Sequence, residues 1–244
     1  MDPKISIFTS SYNHSKHLKF AIESVLNQTY QNFEYFLFDD GSDDSTYDIM
    51  KSYQYDNRVK VIKLDKQPNV GVVINKSIAL STGNYWSWCP ADDYWNEHLL
   101  ENKIKYIDKF PKSILYNNWF FIDENNNIFG GYDVPIMTSD DFSEEVWKTS
   151  PIGFTGILIP MYIFKTLKLL FPEHLPYSED FYWMIKATIH NVPFDLVPER
   201  LHYKRKHENS LTNKNITAII ENIPRIRSEL MEYKKEIDRL NLEK

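Results

Sequence analysis

The segment that most constrains the fold is Glu34-Tyr-Phe-Leu-Phe38, nearly continuous in apolar side chains and closed by Asp39-Asp-Gly-Ser42. Such a strand has no polar face to show to water. It belongs in a parallel sheet covered on both sides, and its acidic end must lie at the sheet's carboxyl edge.

The neighbouring sequence supplies the cover. Residues 4–9 are β-rich and lead into a polar loop from Ser10 to His14; Leu18, Ala21, Ile22, Val25 and Leu26 then follow at helical spacing. A second helix is expected from about Asp43, a third strand at 58–64, a third helix at 70–81 stopped by Gly83, and a fourth strand from Tyr85 to Cys89. Strand–helix alternation through residue 95 predicts right-handed βαβ units. Ligands of such sheets bind outside the carboxyl ends of the strands. Three polar clusters fall at those ends: Thr9–Asn13, Asp39–Ser42 and Ala91–Asp93.

The second half is less regular. A helix carrying Leu99, Leu100, Ile104 and Ile107 precedes a hairpin of 113–122 with 128–132 around Glu124–Asn127. Pro151–Gly156 reads as a Gly-containing loop. A helix opens at Ser178-Glu179-Asp180, with Ser178 as its cap, and runs to about His190, while 201–210 is basic and loop-like. In the tail, Ile219, Ile223, Ile226, Leu230, Tyr233, Ile237 and Leu240 alternate in spacings of four and three, a coiled-coil-like stripe on a helix expected to begin at Pro224. Self-association through this stripe is the favoured expectation, and packing on the chain's own domain is the alternative. We therefore expect one domain over 1–212, with a nucleotide-binding half (1–95) and an acceptor-binding half (96–212), and a helical tail over 213–244.

Composition narrows the chemistry. A net charge of −6 removes the basic footprint that a nucleic-acid binder needs, and the single cysteine, Cys89, excludes an internal disulfide and a thiolate zinc cluster. No apolar run approaches the length of a membrane span and no signal peptide opens the chain, so a cytoplasmic protein is expected. With only seven glycines, the chain has neither a dinucleotide-binding nor a P-loop glycine pattern. A nucleotide would then need a metal to neutralise much of its phosphate charge. Asp92-Asp93 at a strand end suits that role, because a divalent cation offsets the repulsion between adjacent carboxylates; the plain alternative is a solvated turn. Glu179 and Asp180 read equally well as first-turn acids favoured by the helix dipole.

In order, Tyr12-Asn13, Ser24-Val-Leu-Asn-Gln-Thr-Tyr30, Asp39-Asp-Gly-Ser42, Asp92-Asp93, Glu179-Asp180 and His207-x-x-Ser210 resemble the motifs of family 2 inverting glycosyltransferases. The resemblance spans residues 3 to 212 and implies an α/β GT-A (Rossmann-like) fold with a mostly parallel sheet flanked by helices. It also implies transfer of a sugar from a nucleoside-diphosphate sugar, UDP first among the candidates, to a carbohydrate or other hydroxyl acceptor. Tyr12 would stack on the base and Asp39 would accept from its N–H. Thr9, Ser11, Asn75 and Arg205 would complete the nucleotide site. Asp92 would face ribose or metal, and Asp93, with His207 as a further ligand, would bind Mn²⁺ or Mg²⁺. Asp180 would be the general base, with Glu179 secondary or acceptor-binding. Ala91 stands where the family commonly has the first Asp of D-x-D, which weakens the ribose role of Asp92 more than the metal role of Asp93. The basic run Tyr203–His207 corresponds to the segment that closes over the diphosphate. Two other readings remain open: a catalytically inactive sugar-nucleotide-binding or scaffold protein, and a nucleotidyltransferase, which would carry a glycine- and arginine-rich first loop.

Overall fold

The computed structural model describes residues 2–208 and 210–242. Asn209 of the His207–Ser210 motif, Met1 and the last two residues of the tail lie outside them. The described strands are β1 (Ile5–Ser11), β2 (Phe33–Asp40), β3 (Val59–Leu64), β4 (Tyr85–Trp88), β5 (Tyr94–Trp95), β6 (Ile114–Ile122), β7 (Ile128–Tyr132), β8 (Leu158–Pro160) and β9 (Phe194–Arg205). The helices are α1 (Ser15–Leu26), α2 (Thr46–Lys51), α3 (Val70–Leu80), α4 (Leu99–Ile107), α5 (Ser139–Glu145), α6 (Tyr162–Lys165), α7 (Glu179–Ile189), α8 (Leu211–Lys214) and α9 (Ile216–Leu242).

The strands make one sheet in the order β3-β2-β1-β4-β8-β6-β9-β5, with β7 on β6. The expected GT-A arrangement is present. Its first four strands are all parallel, whereas β8, which joins the two halves, runs antiparallel to both β4 and β6. Every residue of β2 is buried, as its composition required. Among the acidic groups this strand buries, Glu34 accepts from Ser6 Oγ at 2.7 Å, Lys60 Nζ at 2.9 Å and Lys4 Nζ at 3.1 Å. Burial pushes its pKa up, but hydrogen bonds led by Lys60 and the Thr82 N–H outweigh it and bring it down to about 2. The α1 stripe Leu18, Ala21, Ile22 and Val25 is fully buried, as its spacing predicted. Each such Leu or Ile contributes about 1.5–3 kcal/mol.

Several local expectations are corrected. Helix α2 begins at Thr46, after Asp44 has accepted the Thr46 N–H. Helix α3 ends at Ser81 in extended backbone; Gly83 serves instead the close passage of the chain over β1, where a Cβ would sit 2.7 Å from Lys4 O and Ser6 N. The basic segment through Arg205 is not a loop: it is the end of β9, paired with β6 and β5, where its cationic side chains flank sheet positions. Ser178 does not cap α7. Its backbone is left-handed (φ 68°) and its hydroxyl makes no capping bond.

The tail differs most. Helix α9 starts at Ile216 and Pro224 lies inside it. As the ninth residue of the helix, Pro224 leaves the Ile220 carbonyl without its intrahelical N–H donor, at a cost of about 3 kcal/mol. The apolar stripe packs on the chain's own domain: Ile226 and Leu230 are fully buried, with Ile223, Tyr233 and Ile237 beside them in the main core cluster. Polar contacts lie along the same line, with Glu229 Oε1 accepting from Tyr182 Oη at 2.8 Å and His190 Nε2 meeting Tyr233 Oη at 2.7 Å. The middle of the stripe is thus covered within the chain, as the alternative reading of the tail expects, while Leu240 at its end stays exposed. Leu230→Ala should cost about 2–5 kcal/mol and lower the melting temperature by roughly 5–15 °C. Light scattering should give full-length protein and a chain ending at Asn215 the same oligomeric state.

Candidate functional site

The carboxyl ends of β1, β2 and β4 bring the three polar clusters together, and β9 closes the far side. At the end of β4 the chain turns through Pro90 and Ala91, and Asp92 and Asp93 leave in different directions. Asp93 is buried: its Oδ2 accepts from Thr155 Oγ1 at 2.6 Å and its Oδ1 from the Arg205 N–H at 2.9 Å. Burial, followed by the charge of Asp92, pushes its pKa up to about 7. Asp92 is more open, and its Oδ2 lies 3.2 Å from His207 Nε2. Burial alone would raise its pKa; the His207 hydrogen bond and the charges of His14 and His207 reverse this and hold it below the ordinary value. The adjacent carboxylates are thus divided between a buried anchor and an open, histidine-paired ligand.

Two residues that the sequence left without chemistry hold the anchor. Thr155 lies in the Pro151–Gly156 loop. The same loop is pinned by Lys103, whose buried ammonium donates to Gly156 O and, at 2.8 Å, to Leu115 O; burial drives that lysine's pKa well below its usual range. Nothing in residue spacing joins Thr155 or Lys103 to Asp93.

Arg205 was expected to bind nucleotide, but its guanidinium is already committed. Nε donates to Asp92 O at 2.9 Å, Nη1 to Asp123 O at 2.6 Å and Nη2 to Asn126 Oδ1 at 2.6 Å. It fastens the acidic turn to the β6–β7 hairpin. Lys204, one residue earlier, has no hydrogen-bond or ion-pair partner among the described residues. Its ammonium lies 5.9 Å from the Trp119 ring centroid, and its charge lowers the pKa of both Asp93 and Asp180. This lysine therefore acts on one acid of each pair, Asp93 after β4 and Asp180 on α7.

On α7, Glu179 is buried and Asp180 is half-buried. Burial, then the charge of Asp180, lifts Glu179 to about 8. Burial also raises Asp180, against the Phe181 N–H that its Oδ1 accepts at 2.7 Å and the charge of Lys204. A partly exposed carboxylate with a raised pKa is a serviceable proton acceptor.

The nucleotide end is mixed. Asp39 is fully buried; Oδ1 accepts the Ser42 N–H at 3.2 Å, and Oδ2 has no partner among the described residues. Ser11 Oγ beside it is likewise buried and unpartnered. Tyr12 is 42% exposed. These three remain available to a ligand. Thr9 and Asn75 do not. The Thr9 hydroxyl is buried between Cys89 O (2.6 Å) and Tyr35 Oη (2.7 Å), and the Asn75 amide clamps α3 to the 171–173 loop through Phe171 O, Phe171 N–H and Glu173 Oε1. In both, the polar side-chain atoms already have partners within the fold.

Among the described residues, no group of three or more His, Cys, Asp or Glu side chains forms a ready metal centre. The open Asp92 oxygen and the adjacent His207 nitrogen nevertheless fit a divalent cation whose remaining ligands are phosphate oxygens, the usual way Mg²⁺ sits in nucleotide sites. Asp93, with both oxygens engaged, supports that pair from below.

This site lies on a fold shared with nucleotide-sugar enzymes. S. aureus TarS residues 1–349 in complex with UDP-GlcNAc superpose with a TM-score of 0.72 at 22% identity, over 85% of this chain and 60% of that one. The mannosyltransferase PcManGT from Pyrobaculum calidifontis, in complex with GDP-Man and Mn²⁺, gives 0.66 at 13% identity, over 88% and 61%. The chain thus spans about three-fifths of these solved neighbours. The model of glycosyl transferase family 2 matches residues 6–191, and the chain belongs to that family. Among relatives, an uncharacterized glycosyltransferase of Methanocaldococcus jannaschii is 29% identical over 203 residues, 82% of this chain and 69% of the relative. Glycosyltransferase GlyG of Streptococcus pneumoniae is 30% identical over 146 residues, 59% of this chain and 47% of the relative.

The buried Glu179 carboxyl has a testable thermodynamic signature. Its folded pKa of about 8 exceeds its unfolded value of about 4.3, so between those limits the folded state holds a proton that the unfolded state has lost. Stability contributed by this group therefore falls as pH rises through that window. Glu179→Gln should melt above wild type at pH 8, and the gain should vanish by pH 4; thermal melts across pH check this.

Proposed function

We propose that this chain transfers one sugar, with inversion, from a nucleoside-diphosphate sugar to an acceptor hydroxyl, with a UDP-sugar as donor. The observation that carries the reading is Lys204: a cation with no hydrogen-bond or ion-pair partner among the described residues, whose charge acts on both Asp93 and Asp180. A diphosphate leaving group and a general base belong on either side of such a cation.

Asp180 takes the proton of the acceptor hydroxyl as its oxygen attacks the anomeric carbon. The bond from that carbon to the diphosphate oxygen breaks, and the electron pair leaves with the nucleoside diphosphate. Lys204 offsets the charge that appears there. Asp92 and His207, with Asp93 beneath them, would hold a Mn²⁺ or Mg²⁺ ion, which supplies Lewis-acid neutralisation of the departing diphosphate. Tyr12 stacks on the base, and the unpartnered Asp39 Oδ2 accepts its ring N–H. Uracil and guanine carry such an N–H, whereas adenine and cytosine present a lone pair to the carboxylate; uracil is the choice that matches a single free acceptor. Buried Glu179 positions Asp180 and excludes water.

Asp180→Asn should lower kcat by roughly 10² or more while donor affinity, read by calorimetry, is retained. If turnover survives, Glu179 becomes the next candidate base. Asp93→Asn should nearly abolish transfer and the Mn²⁺-dependent part of UDP binding. Full activity in EDTA would remove the metal from the mechanism. Lys204→Met should lower turnover and UDP affinity together, whereas Arg205→Met should mainly lower the melting temperature.

A further inference from the structure

Lys66 lies just after β3 and belongs to none of the recognised motifs. Its ammonium stands 3.7 Å from the centroid of the Tyr12 ring, over the face on which a base would stack. Asp40 holds it there, with Lys66 Nζ donating to Asp40 Oδ2 at 2.7 Å and the Gln67 N–H donating to Asp40 Oδ1 at 2.8 Å. Gly41 makes the approach possible: at φ +77°, a Cβ would sit 2.7 Å from Lys66 N. Asp39 and Asp40, neighbours on β2, thus do different work. Asp39 keeps one buried oxygen without a partner, and Asp40 tethers a cation.

We propose that Lys66 reads the nucleobase. This rests on the donor-binding role given above to Tyr12 and Asp39. A base entering the Tyr12 face displaces the ammonium, and the tether to Asp40 keeps it at the edge of the ring. The site then offers one anionic acceptor, Asp39 Oδ2, and one cationic donor, Lys66 Nζ. That pair matches a ring N–H next to a carbonyl, as in the imide edge of uracil or the lactam edge of guanine. Adenine, with no carbonyl and no ring N–H on that edge, satisfies neither group. Base choice is then set by two residues at the ends of adjacent strands, and the stacking residue Tyr12 is shielded by the same lysine until a base arrives.

Calorimetry on the full chain with Mn²⁺ tests this, with UDP, GDP, ADP and pyrophosphate as probes. Wild type should bind UDP or GDP well above ADP. For the preferred nucleotide, Lys66→Met should weaken binding about tenfold, as for loss of one charge-assisted hydrogen bond, and shrink its advantage over ADP by the same factor. Pyrophosphate binding should not change, whereas the melting temperature should fall modestly, because the buried Asp40 loses its ion-pair partner. Should that variant fail to fold, Lys66→Gln is read in the same way. Unaltered nucleotide affinity would overturn the proposal. So would equal losses for nucleotide and pyrophosphate, which would make Lys66 a phosphate contact. If wild type binds no nucleoside diphosphate, the donor-binding reading itself fails, and that result is seen before any variant is made.

Discussion

Burying a carboxylate is costly unless its oxygens find hydrogen-bond donors, and Asp93 has a donor on each of its two oxygens. Its partners come from distant parts of the chain, a threonine from the 151–156 loop and a backbone N–H from the end of β9. Each is fixed in turn: the loop by buried Lys103, and the β9 end by the guanidinium of Arg205 gripping the acidic turn and the β6–β7 hairpin. The two halves of the sheet meet at this carboxylate. Removing it would leave an unpaired buried donor on each side, a cost of about 1–3 kcal/mol for each group, and would free the edges that define the site.

This arrangement explains how two like charges can stand side by side. Asp93 is held protonated or partly so by burial and by its neighbour, with its pKa raised to about 7. Asp92 keeps its charge against the imidazole of His207. Charge is concentrated on the residue that a ligand can reach. The α7 pair follows the same logic, with Glu179 buried and raised to about 8 beside a more open Asp180. The charge of Lys204 lowers the pKa of one acid in each pair, Asp93 and Asp180, and so links the two.

Much of the first half was legible in the sequence because its signals are local. The β2 run could be buried only in a parallel sheet and the α1 stripe fell at helical spacing; past the first half, the β6–β7 hairpin was expected around Glu124–Asn127 and is present. The acidic ends of β2 and β4 followed from strand direction alone. Residue type did not say which polar atoms would remain free. Thr9, Asn75 and Arg205 carry suitable groups, but Cys89 O, the 171–173 loop and the hairpin carbonyl had already taken them. The tail shows the same limit: a heptad stripe specifies that an apolar face will be covered, not by which surface.

The order of strands and helices over the first 95 residues, the sheet edge that collects the acids, and the family were therefore decided by the sequence, since burial pattern and motif spacing are properties of the chain itself. Tertiary structure decided the partnerships: Thr155 and Lys103 under Asp93, Lys204 free where Arg205 is not, Lys66 over Tyr12, and α9 against α7. Each depends on two segments far apart in sequence meeting within hydrogen-bonding or van der Waals distance, and no local preference encodes such a meeting.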